Sequence, residues 1–95
     1  MKLTWTPEAV SDLHDIYQYI AERNPSAAKQ TLERIHEILE IRLTQAPNLG
    51  REGRVMGTRE FIIPGTPFVV PYRVKSGTIE ILRVYHSRRR FPSSF

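Results

Sequence analysis

The stretch TPEAVSDLHDIYQYIAERNP, residues 6–25, decides the fold, because it spells one complete helix and the start of a second. Thr6 offers a capping oxygen, Pro7 suits a first helical position where its missing N–H would be unbonded anyway, and Glu8 sits beside the positive end of the helix dipole. Val10, Leu13, Tyr17 and Ile20 then recur at spacings of three and four, which predicts an amphipathic helix with those residues on its buried stripe. Asn24-Pro25 repeats the start signal, and Ala28, Leu32, Ile35, Leu39 and Leu43 form the stripe of a second helix that Pro47 and Gly50 stop. The short linker makes the two helices antiparallel neighbours, an αα-hairpin whose apolar stripes need another layer to cover them.

The flanks supply that layer. Lys2 to Thr6 alternates polar and apolar residues and reads as a short strand with Leu3 and Trp5 on one face. Downstream, Phe61-Ile62-Ile63 reads as a strand, Pro64 to Pro67 as a turn, Phe68 to Val74 as a second strand, Ser76-Gly77 as a hairpin turn and Thr78 to His86 as a third strand. Three linked strands make a meander, so the fold class is α+β. Pro71 cannot donate to a ladder, so a bulge or an irregular edge is expected there. Residues 1–95 read as one domain, with 87–95 a polar, basic tail.

Composition narrows the setting. The chain has no cysteine, which excludes a disulfide framework and thiol chemistry and fits a reducing, cytoplasmic compartment. No apolar run approaches the roughly 18 residues of a membrane span, and the first residues do not form a signal peptide. Charge is polarised: residues 1–50 hold five Lys/Arg against seven acids, whereas residues 51–95 hold nine against three, a split of −2 and +6. Such a field steers the molecule toward an anionic partner.

Metal and covalent chemistry find no support in the spacings. His14, His36 and His86 lie on separate elements without the close ligand spacing that zinc needs, so no metal and no cofactor are expected. Asp12 and Asp15 read as a solvated helix face near the dipole's positive end. Ser87 follows His86, but adjacent strand residues point to opposite faces and make no nucleophile–base pair. Gly50, Gly53 and Gly57 read as turn glycines, because no Lys-Ser/Thr and no helix start follows them.

The cluster with chemical potential is Arg73, Arg83, His86, Arg88, Arg89 and Arg90 with Tyr72, Tyr85 and Phe91. Guanidinium forks bind phosphates, aromatic rings stack on bases and histidine moves protons near neutral pH, so these parts suit a metal-free RNA-cleaving site. They equally suit a solvated basic face. Arg59 beside Glu60, and Arg73 opposite the strand of Glu80, also read as simple carboxylate pairs.

Taken in order, Trp5, Ala9-Val-Ser-Asp-Leu13 with Ile16 and Tyr19-Ile20, Pro47 to Arg51, Gly57-Thr-Arg-Glu60, Tyr72-Arg-Val74 and Glu80 to Arg88 resemble the RelE/ParE family of toxins from about Leu3 to Pro92. The resemblance implies an N-terminal edge strand and an αα-hairpin packed on a small twisted antiparallel sheet. It also implies a bacterial type II toxin–antitoxin (plasmid stabilisation) module, in which a cognate antitoxin docks on the hairpin and neighbouring sheet and operator DNA is met only through that antitoxin. RelE-like members are ribosome-dependent ribonucleases that act on mRNA and carry basic residues at strand positions matching Glu60, Ile62 and Val69 here; none of these is basic. ParE-like members inhibit DNA gyrase and share the Gly-Thr-Arg-Glu and Arg-Val-x-His-x-x-Arg segments. The implied function is thus a non-enzymatic gyrase inhibitor, with Arg83, His86, Arg88, Arg89, Arg90 and Phe91 as target-binding residues. The alternatives are a ribonuclease using His86, Arg73 and Arg83, or a non-toxic relic that acts only in an antitoxin–operator repressor complex.

Overall fold

A computed structural model describes residues 1–88 and 94–95. The chain runs β1 (Lys2–Trp5), α1 (Pro7–Ala21), α2 (Pro25–Ile38) with a π-helical continuation over Leu39–Leu43, then β2 (Arg51–Glu52), β3 (Arg59–Ile62), β4 (Phe68–Lys75), β5 (Thr78–Ile81) and β6 (Tyr85–His86). The two expected caps form: Ala9 N–H donates to Thr6 Oγ1 at 3.1 Å and Ala27 N–H to Asn24 Oδ1 at 3.1 Å. The hairpin covers one face of a sheet ordered β1-β5-β4-β3-β2, with β6 pairing the start of β4. Leu13, Ile35, Leu39 and Leu43 from the helices meet Phe61, Val70, Tyr72, Ile79 and Ile81 from the strands in the core, with Leu3 and Trp5 packed against it.

Three details depart from the sequence reading. β1 lies at the sheet edge as expected but pairs with β5 in parallel, so the sheet is mixed. On α1 the buried residues are Ala9, Asp12 and Leu13, while Val10 and Tyr17 are 54% and 40% exposed. The stripe is turned because Asp12 has a partner inside. Asp12 is therefore not on a solvated face.

The third departure begins at Pro71. β4 runs through it in register with Glu60 of β3, and the irregularity appears instead on the other neighbour. Leu82 N–H donates to the Pro71 carbonyl at 2.9 Å, but proline has no N–H to return the bond. The Leu82 carbonyl instead accepts the Thr6 hydroxyl at 2.7 Å, and β5 stops at Ile81. The expected single strand Thr78 to His86 is thus two strands separated by Leu82–Val84. That connection is fixed by Asp12, whose carboxylate accepts Arg83 Nε at 2.7 Å, Arg83 Nη2 at 2.9 Å and the Val84 N–H at 2.9 Å. Asp12 is 10% exposed at its side chain and Arg83 29%. The hydrogen bonds Arg83 donates to Asp12 hold the guanidinium charged, raising its pKa against a smaller opposing effect of burial.

A second tie closes the far side. Tyr72 is fully buried, and its hydroxyl donates to the Pro47 carbonyl at 2.7 Å and accepts the Gly50 N–H at 2.8 Å. A Cβ at Gly50 would sit 2.7 Å from the Tyr72 ring, so only glycine permits this approach. Arg59 Nη1 donates to the Gly50 carbonyl at 2.8 Å and so fastens the same loop. Ser76 and Gly77, with φ of 51° and 74°, make the expected tight turn between β4 and β5.

Each tie has a measurable consequence. Asp12→Ala leaves Arg83 and the Val84 amide without their acceptor and should lower stability by about 2–3 kcal/mol, read from urea unfolding midpoints. Tyr72→Phe should cost about 2 kcal/mol, because two buried backbone groups lose their partner. Burial raises the Tyr72 pKa above its ordinary value of 10.0, so the unfolded chain ionises first. The native state's advantage from the neutral phenol is complete below pH ~10 and is lost as pH rises through the folded pKa. An alkaline unfolding titration should show this loss in the parent and lack it in Tyr72→Phe.

Candidate functional site

The basic residues fall into separate groups. Arg73 and Arg83 line one cleft of about 390 Å³, together with Thr6, Glu8, Glu80, Leu82, Ser94 and Phe95. Both guanidiniums there are engaged: Arg73 Nε donates to Glu80 Oε1 at 3.1 Å across the β4–β5 ladder, and Arg83 is held by Asp12. The Arg73–Glu80 pair expected from sequence is thus present, with both side chains about two-fifths exposed. Arg83 also lies over the Tyr85 ring at 4.6 Å from its centroid.

His86 is not among the residues lining that cleft. It sits on β6 opposite Phe68, edge-on to the phenyl ring at 6.2 Å, and its Nδ1 accepts the Arg88 N–H at 3.2 Å. Ser87 N–H donates to the Pro67 carbonyl at 2.8 Å, which pins the base of the tail to the β3–β4 turn. His86 and Arg88 therefore share one corner at the start of β4, and Arg73 lies five positions further along that strand. Arg89, Arg90 and Phe91 lie outside the described residues.

Tyr72 and Tyr85 do not serve as stacking platforms. Tyr72 is in the core and Tyr85 is 5% exposed, opposite Val69 on β4. Their burial was hidden in the sequence because strand aromatics suit a core and a binding face equally.

Sequence reasoning missed a carboxylate-centred cluster on β2 and β3. Glu60 has a side chain only 2% exposed, and its carboxylate accepts Arg51 Nη2 at 3.0 Å and the Arg54 N–H at 2.9 Å, with Arg54 Nε 3.5 Å away. Arg59, expected beside Glu60, instead binds the Gly50 carbonyl. The Glu60 position is filled by a structural anion, Ile62 is 50% exposed and Val69 is buried. No group of three or more His, Asp or Glu suited to a metal occurs among the described residues.

The helices and β1 carry an apolar surface. Trp5, Val10, Leu13, Tyr17 and Leu32, with His14 and His36, line an open depression of about 430 Å³, and Tyr17, Leu32 and His36 continue into a second one bordered by Lys29, Glu33, Glu37 and Glu40. His36 packs on the Trp5 ring at 5.0 Å. Beside it, β1 forms a ladder on one side only among the described residues. No described helix is long and apolar enough to cross a membrane.

Comparison with known proteins agrees with this architecture. Residues 3–91 match the profile of the ParE toxin of the type II toxin–antitoxin system parDE. The chain is 35% identical over 91 residues to the candidate toxin Y4kP of Sinorhizobium fredii, covering 96% of this chain and 93% of that one. It is 30% identical over 88 residues to Toxin RelE2 of Caulobacter vibrioides, covering 93% and 97%. Among solved structures it is similar to the chromosomal ParDE TA system from P. aeruginosa, at 35% identity and a TM-score of 0.84 over 90% of this chain and 95% of that one. With the hairpin, the mixed sheet and the Glu60 cluster in place, the chain belongs to the ParE toxin family of type II toxin–antitoxin systems.

Proposed function

We propose that this ParE-type toxin inhibits DNA gyrase by binding the enzyme–DNA assembly, without cleaving a substrate of its own. The observation that carries the reading is the engagement of the arginines a ribonuclease would need. Arg73 is paired with Glu80 and Arg83 with Asp12, and Arg73 lies on β4 five positions beyond Phe68, the ladder partner of His86. A phosphorane-stabilising clamp needs its guanidiniums gathered round the residue that moves the proton, whereas Arg73 is directed to Glu80 away from His86 and Arg83 gives both Nε and Nη2 to Asp12. Contact with the target falls to His86, Arg88 and the tail residues Arg89, Arg90 and Phe91, with Arg83 fixing the β5–β6 connection that precedes them.

A cognate antitoxin is the second partner. The depression around Trp5, Val10, Tyr17 and Leu32 is an exposed apolar patch of the kind that marks a partner surface, and the one-sided β1 ladder beside it offers strand addition. An amphipathic antitoxin helix laid on that patch would use its apolar face at both depressions. Through the antitoxin the complex meets operator DNA.

The first test adds the purified toxin to gyrase supercoiling of relaxed plasmid and to ribosome-programmed mRNA cleavage, with and without Arg88, Arg89 and Arg90 changed to alanine. Blocked supercoiling with intact mRNA, relieved at least about tenfold by the triple change, is expected, a difference of about 1.4 kcal/mol or more. Cleaved mRNA with normal supercoiling would overturn the reading. For the antitoxin, Val10→Glu combined with Tyr17→Glu should weaken calorimetric binding about tenfold or more, since charge would enter an apolar contact. Unchanged affinity would remove the groove from the interface.

A further inference from the structure

The β2–β3 hairpin carries a feature that neither target recognition by the tail nor antitoxin docking uses. Its loop is closed tightly: Gly53 N–H donates to the Thr58 carbonyl at 2.8 Å, and both the Thr58 N–H and hydroxyl donate to the Val55 carbonyl, at 3.2 and 2.6 Å. Yet Met56, at the tip of this ordered loop, is 98% exposed. Any small polar residue would fit that position without loss of a contact, so the fold does not explain a long apolar side chain there. Behind the tip, Arg51 and Arg54 are each about half exposed and share the Glu60 carboxylate, which is itself almost fully covered.

We propose that this hairpin is a contact surface for duplex DNA, with Arg51 and Arg54 on backbone phosphates and Met56 as the apolar tip that enters a groove. The covered Glu60 matters because it holds two flexible side chains in place before any ligand arrives, which removes part of the ordering cost of binding. Guanidinium forks fixed in this way match phosphate oxygens in plane. A protruding methionine between basic residues has the composition of the apolar wedges by which proteins enter the minor groove and part base steps. The shape also separates DNA from an acidic protein segment: the hairpin is convex at its tip, whereas a peptide strand or helix needs a groove to lie in.

The placement adds a second basic site to the tail. Arg59 of β3 is in register with Tyr72 of β4, while β6, which leads into the tail, pairs with Phe68 and Val69 at the other end of β4. The hairpin and the tail therefore leave the same sheet at different levels along β4. The inference is independent of the gyrase reading, since it concerns DNA alone.

The test is fluorescence anisotropy of the whole chain with a labelled duplex of roughly 20 base pairs, between about 50 and about 200 mM salt. Met56→Ser should leave the circular-dichroism melting curve unchanged, and Arg54→Gln, which takes one guanidinium from the covered Glu60, is compared at a temperature where its own melting curve shows it fully folded. Each should weaken duplex binding about threefold to tenfold, and Arg54→Gln should lower the slope of log affinity against log salt by about 1. A tail variant, Arg88→Ala, should leave the effect of Met56→Ser intact. The proposal is overturned if the parent does not bind the duplex at the lowest salt, or if both loop variants bind as the parent does. It is equally overturned if a polyglutamate peptide binds as tightly as the duplex and responds to the same substitutions, since the surface would then be one for acidic protein.

Discussion

Proline at position 71 removes one N–H from the middle of the longest strand, and the path of the remaining chain follows from that missing donor. Leu82 gives its own N–H to Pro71 but finds no bond for its carbonyl, which turns to the Thr6 hydroxyl. Thr6 is also the cap of α1, so the break in the sheet and the start of the helix share one residue. The chain then crosses Leu82–Val84 outside any ladder, and such a crossing must find other partners for its backbone groups. Asp12, less than two turns into α1, supplies one for Val84 and pairs with Arg83 as well. Only after this detour does the chain return as β6 and deliver His86 and Arg88 to the corner of the sheet.

Asp12 and Glu60 play the same physical part at two places. Each is a carboxylate withdrawn from water that accepts at least one backbone N–H and one guanidinium. A buried charge left alone would be expensive, and replacing each pair with apolar groups would cost little stability. What the pairs supply is direction. Asp12 sets the route from β5 to β6, and Glu60 sets the route from β2 through the Met56 loop. Glu80 does less, being about two-fifths exposed beside Arg73, and an exposed pair of that kind contributes about 0–1 kcal/mol.

The strong positive field of residues 51–95 is thereby sorted into two kinds of arginine. Arg83 and Arg59 are fasteners, one to Asp12 and one to the Gly50 carbonyl. Arg51, Arg54 and Arg88 are exposed at the margins of the sheet, the first two while sharing the Glu60 carboxylate. The helices expose Val10 and Tyr17 beside the half-buried Leu32, in a depression whose described lining holds no Lys or Arg. The two surfaces thus differ in both charge and polarity.

Sequence alone determined the elements that depend on neighbours along the chain. The caps at Thr6 and Asn24, the prolines behind them, the stripe of α2 and the Ser76-Gly77 turn are local, because each is fixed by φ restriction or by a bond spanning a few residues. The order and spacing of short motifs carried the family resemblance. Tertiary structure decided whatever required two distant residues to meet. Whether Asp12 faces water or Arg83, across 71 positions, is invisible to helical periodicity, and so the α1 stripe was misplaced by the very residue that turns it inward. The parallel pairing of β1, the burial of Tyr72 and Tyr85 and the gathering of Arg51 and Arg54 on Glu60 have the same origin, for polar residues declare their partners only once the backbone has brought them within hydrogen-bonding distance.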